Sequence, residues 1–181
     1  MRNTLDGQAA ITAIKEVVGD NGWLADAADM EPYVNEWLKI LEGTCQMVVR
    51  PGTTEQVAQV ICICHNAGIS ITPQGGNTGM VGGAVPDGGI VLSTERLNSV
   101  RELDADNATL TVEAGCLLAD VRAPAAAAGF LFPLTLASEG SCCIGGNIAT
   151  NAGGNNTVRY GNTREQVLGL EVVLPDGRVW D

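Results

Sequence analysis

Apolar positions recur at helical spacing over residues 9–18, where Ile11, Ile14, Val17 and Val18 line one face and Gly19 ends the run. This predicts an N-terminal helix. Residues 26–41 have no clear period, and Tyr33 and Trp37 there can either cover the domain or dock on it. The apolar run 46–49, ended by Pro51, predicts a short strand. Thr53 and Gln56 then stand at capping-box spacing, with Glu55 in the first turn, so a helix is predicted from there to Asn66, with Gly68 as its cap. Residues 69–72 alternate as the next strand. Strand, helix and strand in that order predict parallel pairing through a crossover.

A glycine-rich block, 75–89, follows directly. Strands are predicted over 90–93, 98–103 and 109–113. An Ala-rich helix is predicted over 117–128, which Pro124 should kink or break. Residues 131–136 read as extended, and a second glycine-rich block, 140–161, has so little period that loop is predicted for most of it. The β-branched run 168–174 predicts a strand, and Pro175, Asp176 and Gly177 a turn into 178–180. The fold class is α+β with mixed sheet pairing. No internal repeat and no low-complexity linker interrupts it.

Composition sharpens this picture at three points. Glycine supplies 23 of the 181 residues, without the every-third-position period of collagen, so the two blocks mark places where backbone turns sharply or approaches something closely. Twenty-one acids against ten bases leave a net charge of −11 and no basic run, which excludes a phosphate-tracking nucleic-acid surface and disfavours anionic lipid. No apolar stretch approaches the ~20 residues of a spanning helix, and the first 22 residues lack a signal peptide's pattern, so a soluble, cytoplasmic protein is expected. The six cysteines have no paired C-x-x-C spacing. Cys62, Cys64 and His65 could suggest a metal, but Cys64 shares a helical face with Val57, Val60 and Ile61, and a core thiol is expected.

The first block, PQGGNTGMVGG from Pro73, follows a strand. Such a loop can point successive N–H groups into one concavity that attracts an anion, with Asn77 and Thr78 adding side-chain donors; adjacent donors suit a pyrophosphate. No Gly-Lys-Ser/Thr closes it, which excludes a Walker A loop, and it leads to a strand rather than opening a helix, which excludes a Rossmann loop. In the second block, SEGSCCIGGNIATNAGG, small residues leave backbone free to lie against a planar ligand. Ser141, Asn147, Thr150 and Asn151 there supply uncharged hydrogen-bond groups. His65 is the only histidine, so no Ser-His-Asp set exists, and a solvated helix end is its expected place.

These motifs, with VEAG at 112–115, FPLTLASEGSCCIGGNIATNAGG at 132–154 and RYGNTREQVLGLEVVLPDG at 159–177, resemble the FAD-binding domain of the vanillyl-alcohol oxidase and p-cresol methylhydroxylase superfamily. Within it the sequence is most similar to the D-2-hydroxy-acid dehydrogenases acting on D-lactate, D-2-hydroxyglutarate or glycolate. The resemblance covers 45–181, after an N-terminal helical segment 1–44, and implies two α+β subdomains with FAD between them. It implies that Pro73, Gly75, Gly76, Asn77, Thr78, Gly79 and Gly82 serve the pyrophosphate. It further implies that Pro133, Ser141, Gly145, Asn147, Thr150, Asn151 and Gly153 line the ribityl and isoalloxazine part, and that the strand around 171–173 approaches the adenosine end. Relatives with histidyl-flavin have His where this chain has Asn77, so noncovalent FAD is expected.

Thr135 and Ala137 stand where many relatives have Asp and Gly, which leaves the finer flavin contacts open. The resemblance also implies a further flavin segment and a cap domain beyond Asp181, carrying the base and metal ligands. An N-terminal fragment, truncated at the C-terminus, with no catalytic residue of its own is therefore expected. The implied partners are a 2-hydroxy acid and an electron acceptor, with assembly as a homodimer or with partner subunits. A flavoenzyme acting on an alditol, aryl ether or UDP-sugar, and a non-catalytic flavin-binding subunit, stay open as alternatives.

Overall fold

The computed structural model describes residues 6–181, so the first five residues of segment 1–44 lie outside the described residues. The chain divides into two compact units, one formed by residues up to 96 together with 170–181, the other by 97–169.

In the first unit α1 (Gly7–Val18) buries Ala10, Ile14 and Val18, spaced four apart on one face. Then come β1 (Trp23–Leu24), α2 (Ala27–Val34), β2 (Met47–Val49), α3 (Thr54–Ala67), β3 (Ile71–Gln74) and β4 (Ile90–Ser93). Their sheet has the order β1-β2-β4-β3, with β2 and β3 each parallel to β4 and β1 antiparallel to β2. The expected crossover is present, but its two strands are not neighbours, because β4 lies between them and Ile90 is in register with both Met47 and Ile71. Burial decides this order. All four residues of β4 are buried, as a central parallel strand requires, whereas β3 carries Pro73, which has no N–H to give a second neighbour, and stands at the edge.

Helix α3 begins as its cap residues dictate, with Thr53 Oγ1 accepting from Gln56 N at 3.2 Å. Gln56 does not close the box. Its Oε1 accepts from Gly52 N at 2.7 Å and its Nε2 donates to Val17 O at 3.1 Å, tying α3 to the end of α1. Cys64 is buried with Val57 and Val60, and burial pushes its thiol up to about 11. His65 is exposed in the last turn of α3. Among the described residues no cluster of His, Cys, Asp or Glu could hold a metal, and no helix is long and apolar enough to cross a membrane.

The second unit opens with the antiparallel pair β5 (Val100–Asp104) and β6 (Thr109–Val112), and continues with α4 (Leu118–Ala127), α5 (Ile144–Ala149) and α6 (Thr157–Tyr160). Its core joins Cys116, Leu118, Val121, Leu134, Cys142 and Ile144. Each large apolar side chain buried there contributes about 1.5–3 kcal/mol relative to exposure. One expectation is corrected here. Pro124 does not break α4, which runs on to Ala127 while Val121 and Ala125 stay buried on either side of it. The second glycine block is largely loop and turn, as expected, but it also contains two short helices, α5 and α6. Glycine-rich sequence has poor helix propensity, but burying Ile144 and Asn147 on one face of α5 outweighs it.

Residues 131–136, expected to be extended, form no strand. The strand predicted over 168–174 shrinks to β7 (Val172–Val173), paired with β8 (Val179–Trp180) across the expected Pro175-Asp176-Gly177 turn, and this hairpin belongs to the first unit.

Candidate functional site

Pro73 is the third residue of β3, and Gly75, Gly76, Asn77, Thr78, Gly79 and Gly82 form the loop that leaves its carboxyl end. Open parallel sheets offer ligands this end of their strands. Among the described residues, the backbone N–H groups of Gly76, Asn77, Thr78 and Gly79 donate to no other protein group. A Cβ at Gly79 or Gly83 would meet nothing within 4 Å. A row of unspent, uncharged donors beside open space fits an anion with several adjacent oxygens.

Two amide side chains hold this loop. Gln74 is buried, and its Nε2 donates to Tyr33 O at 2.8 Å and to Ala84 O at 2.9 Å. Asn77 Nδ2 donates to Asn35 O at 2.7 Å and Pro32 O at 3.1 Å. A side-chain amide has two N–H donors, and both of Asn77's are used inside the protein, so they are not the free ligand donors expected from the sequence. Gln74 was not singled out by sequence reasoning; its only signal is an amide at the last position of a strand, immediately before the paired glycines.

The other predicted residues belong to the second unit. Pro133 lies in the irregular 131–136 segment, and its carbonyl accepts from Asn156 Nδ2 at 2.9 Å. Ser141 is exposed in the turn before α5. Gly145 and Asn147 are within α5. Gly145 has no Cβ to strike Ala114, whose carbonyl takes its N–H at 2.8 Å. Asn147 is buried and donates to Cys142 Sγ at 3.6 Å, so its amide serves the core. Thr150 Oγ1 donates to Gly146 O at 2.9 Å, and Asn151 Oδ1 accepts from Arg164 N at 3.0 Å. Gly153 approaches Asn162 and Thr157 closely. Thr135 adds a residue that the sequence left open, because its Oγ1 is buried with no hydrogen-bond partner. An unmatched buried hydroxyl costs about 1–3 kcal/mol, and a bound ligand can relieve that cost.

Charge near the first loop is held in place. Arg50 Nη1 and Tyr33 Oη both donate to the Glu95 carboxylate, at 3.0 and 2.6 Å. Burial, and then Glu95, push the Tyr33 phenol up to about 12, so it stays protonated at neutral pH and is no base. Glu36 is buried, and its carboxylate accepts from Leu38 N at 2.5 Å and Ile40 N at 2.6 Å. Burial raises its affinity for a proton, but the N–H groups of Ile40, Leu38 and Leu41 outweigh that and set it below its ordinary 4.5. A lowered carboxylate stabilises the fold above its unfolded pKa, and that contribution is lost as pH falls through the folded value. We therefore expect wild type to exceed Glu36→Gln in stability at neutral pH and the gap to close on acidification below 4.5, followed by Trp fluorescence in denaturant. A gap independent of pH would contradict this.

Comparison with known proteins adds to this geometry. The family described as FAD binding domain matches residues 45–181. The chain is 45% identical over 157 residues to the D-2-hydroxyglutarate dehydrogenase, mitochondrial, of Bos taurus, covering 86% of this chain and 29% of that protein. With the protein of the same name in Danio rerio it shares 47% over 145 residues, covering 80% and 27%. The chain thus spans under a third of the length of these relatives. Among solved structures, p-cresol methylhydroxylase with substrate bound superimposes with a TM-score of 0.79 at 22% identity, over 99% of this chain and 36% of that one, which shows a shared fold. The mitochondrial names of the relatives overturn the cytoplasmic location expected from the sequence.

Proposed function

Because the chain belongs to the FAD binding domain family, we propose that it is the cofactor-binding part of an oxidoreductase that oxidises a D-2-hydroxy acid. FAD is its cofactor. When bound, FAD would supply the hydride acceptor for oxidation of the substrate Cα–OH to a carbonyl, with a separate electron acceptor taking up the electrons. The chain's own residues bind and orient. The unspent N–H groups of Gly76, Asn77, Thr78 and Gly79 receive the pyrophosphate, with Pro73, Gly75 and Gly82 shaping the loop. Ser141, Thr150, Asn151 and the hydroxyl of Thr135 offer hydrogen bonds to the ribityl and ring edge, on a backbone set by Pro133, Gly145, Asn147 and Gly153. The strand around 171–173 serves the adenosine end. Residues 45–181 would be the FAD-binding part, preceded by the N-terminal segment 1–44.

The identity to D-2-hydroxyglutarate dehydrogenase carries the substrate class. Anaerobic addition of D-2-hydroxyglutarate, D-lactate or glycolate to the full-length protein tests it. Bleaching of the flavin absorbance by a D-2-hydroxy acid is the expected result, with D-2-hydroxyglutarate the most effective. A flavin that none of the three bleaches would point instead to a non-catalytic flavin subunit or to another substrate.

FAD is held without a covalent bond. Asn77 stands where histidyl-flavin relatives have His, and an amide donating to two carbonyls is not a nucleophile. Acid precipitation of the holoprotein should leave all yellow colour in the supernatant; colour on the pellet would refute noncovalent binding.

A further inference from the structure

The end of α2 has an unusual set of partners. A helix leaves its last carbonyls without intrahelical donors, and these must be matched from elsewhere. Here Pro32 O accepts from Asn77, Tyr33 O from Gln74, and Val34 O from Gly43 N at 2.8 Å; Asn35 O, just past the helix, accepts from Asn77 as well. Gln74, at the end of β3, and Asn77, in the loop, thus supply three of these four carbonyls. The second N–H of Gln74 reaches Ala84 O across the loop, so one buried amide joins the start of the loop, its far limb and α2. Asn77 adopts a left-handed φ of 48°, which turns its side chain to α2 and leaves its own N–H with no protein acceptor. Residues 27–35 lie outside the 45–181 that match the family.

We infer that the carboxyl end of α2 is the anchor that holds the first glycine loop in its anion-binding shape, with Gln74 and Asn77 as its positioning residues. The inference rests on the FAD reading for its ligand but not for its geometry. The four amide bonds order the loop before any ligand arrives, so binding does not have to bear the entropy of ordering it. All four donors end on backbone carbonyls, which no substitution in α2 can remove, so the loop side must be varied.

Asn77→Gly removes two of the bonds and still accepts the left-handed φ, and Asn77→Asp keeps the size and tolerates that φ but has no N–H to donate. In FAD-free full-length protein, both variants should raise hydrogen exchange of the 75–83 amides about tenfold while the exchange of α3 stays at the wild-type rate. Both should weaken FAD about tenfold, and riboflavin, which has no pyrophosphate, by no more than twofold, a split that general loosening of the fold would not produce. Gln74→Met should act in the same direction; if it fails to fold, the Asn77 variants decide. Unchanged loop exchange, wild-type behaviour of Asn77→Asp, or equal weakening of FAD and riboflavin would overturn the anchor. A wild-type protein that binds no FAD would instead overturn the cofactor reading, with the exchange experiment still deciding the anchor.

Discussion

Gly89→Ala should destabilise the first unit by about 3–5 kcal/mol, lowering its melting temperature by about 10–20 °C. Two costs combine. Gly89 has a φ of +61°, where an L residue other than Asn or Asp costs about 1–2 kcal/mol. A Cβ built there also overlaps both the carbonyl oxygen and the side-chain oxygen of Ser70. The carbonyl cannot withdraw cheaply, because Ser70 O accepts from Ile90 N at 2.9 Å just where β3 and β4 begin to pair. Gly89 O in turn accepts from Gln46 N at 2.7 Å, at the entrance to β2. One methyl group therefore strains the start of three parallel strands, and with them the frame on which the first glycine loop sits. Guanidinium unfolding of wild type and variant measures the difference. A loss under about 1 kcal/mol would show that the β3 entrance yields more easily than its hydrogen bonds indicate.

Gly154→Ala should weaken FAD about 100-fold while costing less in global stability than Gly89→Ala. The Cβ here overlaps the backbone carbonyl of Thr135, with no flexible side chain to give way. Relief requires separating the 133–135 segment from the 153–156 segment, and that would break the Asn156 Nδ2 to Pro133 O bond. It would also disturb Gly154 O, which accepts from Thr157 N and, at 3.0 Å, from Thr157 Oγ1. Both segments carry residues assigned to the flavin ring and ribityl chain, and Thr135, in the first of them, holds the unmatched hydroxyl. Leu134, in the first of these segments, also belongs to the second unit's core, whose members Leu118, Val121 and Ile144 lie outside both segments and should keep it folded. Titration of apoprotein with FAD by flavin fluorescence reads the affinity; wild-type affinity would remove these segments from the cofactor site.

The parts legible in the sequence are those whose causes are local. Helix α3 could be bounded from Thr53, Gln56 and Gly68 because a cap is satisfied within four residues, and the structure returns it as Thr54–Ala67. The 175–177 turn follows from its own Pro-Asp-Gly chemistry, and the two glycine blocks announce themselves by composition and motif. Helix α5 was hidden for the converse reason: Gly145, Gly146 and Asn147 argue locally against a helix, and only burial against residues such as Cys116 and Leu134 pays for one. The site shows the same division. Its residue types and their family resemblance could be read directly, but Asn77, Gly145 and Asn147 have tasks inside the protein that their motif does not disclose.

The sequence by itself determined the fold class, the bounds of α3 and the family, because each depends on residue type or short spacing. The tertiary structure alone decided that β4 separates β2 from β3, since strand order is settled by which strand can be buried on both faces. It alone showed that the first glycine loop hangs from α2, because Gln74 and Asn77 meet their acceptors 41 to 45 residues away, a distance at which no periodicity signals a contact.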